Sequence, residues 1–145
     1  MKLKILMISL LIVGFMSCKN DDDSSIPDEN NCDFETLINA DLYENSPSDQ
    51  LSIINLEING NCLEVTFSAS GCDGNSWNVN LIDAEQILES LPVQRNLRLT
   101  LENNESCLAV ITKVSSFDIS GLQVSDDNRV LLNITNSGDQ ILYEY

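Results

Sequence analysis

The stretch Ile54-Asn55-Leu56-Glu57-Ile58-Asn59-Gly60-Asn61-Cys62-Leu63-Glu64-Val65-Thr66-Phe67-Ser68-Ala69 decides the fold. Its apolar residues fall at every second position: Ile54, Leu56 and Ile58, then Leu63, Val65, Phe67 and Ala69. A period of two places alternate side chains on opposite faces of a strand. Asn59-Gly60-Asn61, between the runs, is rich in turn formers. The pair therefore predicts a β-hairpin with one buried face.

The pattern continues downstream. Residues 70–76 (SGCDGNS) form a loop dense in turn residues. Trp77, Val79 and Leu81 predict a third strand face, and Leu97, Leu99 and Leu101 another. Residues 103–106 turn the chain. Residues 108–114 are apolar on both faces, as expected of a central strand. Phe117 with Ile119, and Leu122 with Val124 beyond Gly121, predict two further short strands. Val130, Leu132 and Ile134 predict one more, and residues 136–139 turn into a last strand at 141–145. Residues 83–91 fit either a helical turn capped by Asp83, with Gln86 completing a capping box, or a short strand leading to Pro92. The strands around them favour the strand. Upstream, Phe34, Leu37 and Ile38 have helical spacing, so residues 33–50 predict a short amphipathic lead-in ending in a turn at 45–48.

These elements predict an all-β fold, an antiparallel β-sandwich of about seven to eight short strands. Trp77 on an early strand fits an immunoglobulin-like core. The cysteine spacing does not match the usual pair between sheets, so the immunoglobulin-like variant stays open.

The chain holds five cysteines and no histidine. Cys32, Cys62, Cys72 and Cys107 make an even set in a small domain, which predicts two disulfides. Cys62 and Cys72 bracket one strand. Ten extended residues span roughly 33 Å, against the ~7 Å between Cα atoms that a bridge tolerates. Up-and-down strands bring the Cys72 loop and the Cys107 turn to one end. The expected pairs are Cys72–Cys107 and, by elimination, Cys32–Cys62. Each closes a loop worth roughly 3–4 kcal/mol in the chain-entropy model. No CxxC or Cys/His pattern points to zinc, and no cofactor is expected.

The N-terminus reads differently. Lys2 and Lys4 precede an apolar run to Phe15, shorter than the roughly 20 residues of a spanning helix. Met16-Ser17-Cys18 ends it, and Lys19-Asn20-Asp21-Asp22-Asp23-Ser24-Ser25 follows at once. This arrangement resembles a bacterial lipobox, with Phe15 where Leu is usual and Met16 where a small residue is usual. The resemblance implies cleavage before Cys18 and acylation of its thiol. Two or more chains, at ~0.8 kcal/mol per buried CH₂, hold a protein stably on a membrane. The expected organisation is a lipoprotein signal peptide at 1–17, a flexible acidic tether at 18–31 and a single domain at 32–145. The acidic run after Cys18 resembles the lipoprotein export signal of Bacteroidota. That implies the outer membrane and its cell-surface face, with the periplasmic face as the alternative.

Asn61 to Trp77 (NCLEVTFSASGCDGNSW), Phe117-Asp118-Ile119-Ser120 and Ile141-Leu142-Tyr143-Glu144-Tyr145 together resemble small uncharacterised surface lipoproteins of Bacteroidota. The resemblance carries no catalytic or binding residues with it.

The whole chain carries 7 basic and 23 acidic residues, a net charge of −16. Removing 1–17 takes away two lysines and no acid, leaving 5 basic and 23 acidic residues and a charge of −18. Nucleic acid and anionic lipid headgroups need clustered Lys and Arg, so both are excluded as partners. Without histidine the usual general base and any Ser-His or Cys-His nucleophile are missing. A Ser–Lys pair has only Lys113 beside Ser115 and Ser116, and the ordinary reading is an outward lysine. Asp73, Asp126 and Asp127 offer the hard oxygen ligands calcium takes, outside any EF-hand spacing, and read first as turn residues. The expected function is a non-catalytic binding or interaction module for a protein or glycan partner. The alternatives are a structural or accessory subunit of an envelope complex, or a carboxylate-dependent hydrolase. The terminal strand 141–145 reads first as the last strand of the sandwich, and an exposed apolar edge there would favour assembly by strand addition.

Overall fold

A computed structural model describes residues 31–145. The expected signal peptide 1–17, the lipidation site Cys18 and residues 18–30 of the expected tether lie outside the described residues.

The chain forms β1 (Phe34–Glu35), β2 (Leu37–Ile38), α1 (Ala40–Asn45), β3 (Ser52–Asn59), β4 (Cys62–Gly71), β5 (Asn78–Leu88), β6 (Gln94–Glu102), β7 (Ala109–Asp118), β8 (Arg129–Ile134) and β9 (Asp139–Glu144). One sheet has the order β1-β7-β4-β3 and the other β2-β5-β6-β8-β9. The fold is all-β, with two facing sheets around one apolar core.

The β3–β4 hairpin forms as its alternation requires, from Ser52 opposite Ser68 to Asn59 opposite Cys62. β4 buries Leu63, Val65, Phe67 and Ala69. The phase of β3 differs from expectation. A register shift between Ile53 and Asn55 adds one residue to the strand. Ile53, Leu56 and Ile58 therefore pack on the core, while Ile54 turns outward and is 58% exposed.

From the facing sheet, Leu81, Leu97, Leu99, Leu101 and Leu132 meet Phe67, Leu63 and Phe117 in full burial. Each such side chain contributes about 1.5–3 kcal/mol relative to exposure. Tyr143 is also fully buried. Its hydroxyl donates to Asn61 Oδ1 at 2.6 Å and accepts from Gln123 Nε2 at 2.8 Å, tying β9 to the β3–β4 turn. Desolvation raises its pKa, and the hydrogen bond from Gln123 works the other way.

The sheets are mixed rather than purely antiparallel. β1 runs parallel to β7, β2 to β5 and β6 to β8. Topology explains each case. β1 and β2 are one pass of chain that changes sheet midway, so a single direction serves both edges. Between β6 and β8 the chain makes one pass through the other sheet as β7, and so returns in its original direction. The likeness to an immunoglobulin domain stops at two packed sheets, since that fold is built from antiparallel ones.

Three predicted segments change character. Phe117 belongs to β7, which fuses two expected strands, and Leu122 reaches the core from a 3-10 turn at Ser120–Leu122 rather than from a strand. The helical spacing of Phe34, Leu37 and Ile38 is overridden by strand pairing, and the helix begins at Ala40, capped by Asn39, whose Oδ1 accepts from the Leu42 N–H at 2.9 Å. Residues 83–88 are strand, with an irregularity between Asp83 and Ile87 and Glu85 at φ 56°.

Asp83 is not a helix cap. It is buried and pairs with Arg95, whose Nε and Nη2 donate to the two carboxylate oxygens at 3.0 and 2.8 Å. Cys32 joins Cys62 and Cys72 joins Cys107, with Cα atoms 5.5 and 4.8 Å apart, the first pair expected by elimination and the second from strand direction.

Candidate functional site at the open half of β7

β7 has two unlike halves. Its C-terminal end is covered: β1 pairs with Phe117 and Asp118, and Asp33 binds Ser116. The Asp33 carboxylate accepts from the Ser116 N–H at 3.0 Å and from its hydroxyl at 2.8 Å, and the Asp33 N–H donates to the Ser116 Oγ at 2.9 Å. The Cys32–Cys62 bridge then ties this segment to β4. Residues 109–114 pair with β4 on one side, and among the described residues no strand pairs with them on the other.

The expectation for residues 108–114 was burial on both faces. Instead Leu108 is 89%, Val110 75% and Val114 58% exposed. The core-facing phase of β7 contains Ile111, Lys113, Ser115 and Phe117, set by their register with Ala69, Phe67, Val65 and Leu63. Val110, Thr112 and Val114 fall on the outer phase, which no layer among the described residues covers.

Lys113 is therefore inward, not outward. Its ammonium donates to Asn75 Oδ1 at 3.2 Å rather than to a serine, so no Ser–Lys pair forms. Lys113, Phe67, Trp77, Phe34 and Ser115 line a cleft of ≈ 360 Å³ beside the uncovered stretch of β7. Trp77 stacks at 6.0 Å from Phe67, and its Nε1 is buried without a hydrogen-bond partner.

The loop at this end is held rigidly. The Glu105 carboxylate accepts the backbone N–H groups of Cys72, Asp73 and Gly74 and the Ser76 hydroxyl. Desolvation acts to raise its pKa. The hydrogen bonds from Cys72, Gly74, Ser76 and Asp73 outweigh it and bring the carboxyl to about 2. Gly74 sits at φ 69°, a conformation that side-chain-bearing residues rarely adopt, and a Cβ there would come 2.7 Å from Lys113 Cε. Glu105 was absent from the expected site. The signal was its position two residues before Cys107, facing a glycine-rich loop. Arg95 was equally readable, being in phase with Leu97, Leu99 and Leu101 and so core-facing.

The calcium candidates are engaged in local turns. Asp73 Oδ1 accepts from the Asn75 N–H at 2.9 Å, and Asp127 Oδ1 accepts from the Asn128 N–H at 2.8 Å and lies 3.6 Å from Arg129 Nε. Asp126 is exposed beside it. Among the described residues no three His, Cys, Asp or Glu side chains are grouped to hold a metal.

No family model matches this sequence, and no curated protein is significantly similar to it. The fold is similar to that of solved proteins from Bacteroides. A protein of unknown function (DUF1344) from Bacteroides vulgatus superposes with a TM-score of 0.51 at 19% identity, over 77% of this chain and 56% of that one. A NigD-like immunity protein from Bacteroides caccae superposes with a TM-score of 0.55 at 10% identity, over 76% of this chain and 58% of that one. The present chain thus matches less than two thirds of the length of either protein.

Proposed function

We propose that this chain is a lipid-anchored envelope protein whose sandwich is a non-catalytic interaction module, making contact through the open half of β7. The carrying observation is the half-covered strand. β1 and the Cys32–Cys62 bridge seal one end, while the next six residues keep, among the described residues, an unpaired edge and exposed valines. Such an edge is a template for another chain. The anchor rests on Cys18 and its flanks. The outer membrane, facing the cell surface, is the proposed location, and the periplasmic face is the alternative. One solved protein sharing the fold is called an immunity protein, which accords with binding rather than turnover.

The test is photo-cross-linking in cells making the full chain. A photoreactive residue at Val110, Thr112 or Val114 is expected to give adducts, and one at Gln140 on β9 is not. Equal adducts at all positions, or none at the first three, would contradict the proposal. Labelled fatty acid should enter the wild type and be lost in Cys18→Ala.

A further inference from the structure

We infer that the partner of the open edge is a second copy of this chain, paired antiparallel through β7 about a two-fold axis at Thr112. The inference rests on the reading that this edge is the contact surface. Its first support is backbone direction. The Ser116 N–H goes to Asp33, and the Asp118 carbonyl accepts from the Thr36 N–H, so both groups point to the β1 side. β7 pairs with β4 without a register break. Strand alternation then directs the N–H and C=O of Val114, Thr112 and Val110 to the same, uncovered side.

The second support is self-complementarity. A two-fold interface must match a patch to itself. Pairing about Thr112 sets Val110 opposite Val114 of the second copy, Thr112 opposite Thr112, and Val114 opposite Val110. These residues share both the outer phase and the free hydrogen-bonding edge. The same pairing covers the two exposed valines with each other, and it ends at Ser116, where Asp33 already occupies the edge.

Charge is the third support. Residues 109–115 (AVITKVS) contain no acid in a chain of net charge −16. Two other outer edges are blunted: β3 carries the register shift at Ile53/Asn55 and Glu57, and β9 has Asp139 and Glu144 at its ends. The terminal strand is thus a less suited edge for assembly.

Full chains carrying single cysteines, made in their own oxidising envelope, test the register. Hydrogen-bonded antiparallel partners have Cα atoms about 5.5 Å apart, within disulfide reach. Thr112→Cys should give a disulfide-linked dimer on a non-reducing gel. Val114→Cys alone should not, but together with Val110→Cys in a second chain it should give the mixed dimer. Peptide mapping of Cys32–Cys62 and Cys72–Cys107 checks that each variant has folded. Wild type in detergent should scatter as a dimer, and Val110→Lys as a monomer. A monomeric wild type, or Val114→Cys linking to itself as readily as Thr112→Cys, would overturn the inference. Thr112→Cys linked instead to a different protein would overturn it too, while leaving the open edge as the contact surface.

Discussion

The two halves of β7 belong to one strand, pair with the same neighbour and differ in almost everything else. From Ser115 to Asp118 the strand lies between β4 and the Asp33–Glu35 segment, with Phe117 fully buried. From Ala109 to Val114 it has, among the described residues, a neighbour on one side only. The sequence of the open half is the more apolar of the two, so hydrophobicity does not decide burial here. Burial follows strand phase, since Phe117 faces the core while Val110 and Val114 face outward, and edge pairing follows how far β1 and β2 reach along the sandwich. Four residues of strand, Phe34–Glu35 and Leu37–Ile38, close one half of both sheets and stop.

The sharpest way to break this comparison is truncation in each half. Phe117→Ala should cost about 3–5 kcal/mol, as large-to-small core changes do. Val114→Ala, three residues away, should stay within about 0.5 kcal/mol, as exposed positions do. Denaturant unfolding of both variants checks this, and equal costs would remove the distinction.

A second variant probes the closed half from the other sheet. Asp83 pairs with Ile38 of β2, and its carbonyl accepts from the Asn39 N–H at 3.1 Å. Arg95→Met strips its carboxylate of the guanidinium and should cost ~3–5 kcal/mol, whereas adding Asp83→Leu should recover much of that loss. A double variant no more stable than Arg95→Met would show that the pair is not the source of the cost.

Third, Cys32→Ser with Cys62→Ser should destabilise by about 3 kcal/mol and raise amide exchange along β1. Replacing Cys72 and Cys107 should leave β1 exchange unchanged, because that bridge lies at the other end of β4.

The smallest effect concerns acid. Glu105 has a folded pKa of about 2 against an ordinary 4.5. Its contribution is therefore complete above about pH 4.5 and is lost as pH falls through about 2. The protection of the Cys72, Asp73 and Gly74 amides relative to their intrinsic exchange at each pH should fall as pH drops through that window in wild type, and should be already low and flat in Glu105→Gln. A pH-independent wild type would contradict the role of the carboxylate.

Alternation made the hairpin, β6, β8 and β9 legible, because each has one buried face and one solvated face. It failed where a second rule intervened. Ile54 was misplaced by an inserted residue, which alternation cannot reveal. Phe34, Leu37 and Ile38 have helical spacing, but pairing with β7 and β5 outweighs that local preference. Residues 108–114 show the deepest failure: a run apolar on both faces reads as central, and nothing local says that the described residues supply it no outer layer and only one neighbour. At the site, the bridges followed from strand direction and elimination. Glu105 and Arg95 were visible only as an acid and a base in positions whose partners lie far along the chain.

The most direct test is amide exchange along β7 in the full chain at low and high protein concentration. The Ser116 amide, held by Asp33, should be protected at both. The amides of Val110, Thr112 and Val114 should exchange freely when dilute and become protected when concentrated. Protection of those three in the dilute chain would mean that the edge is covered from within, and would contradict an open contact surface.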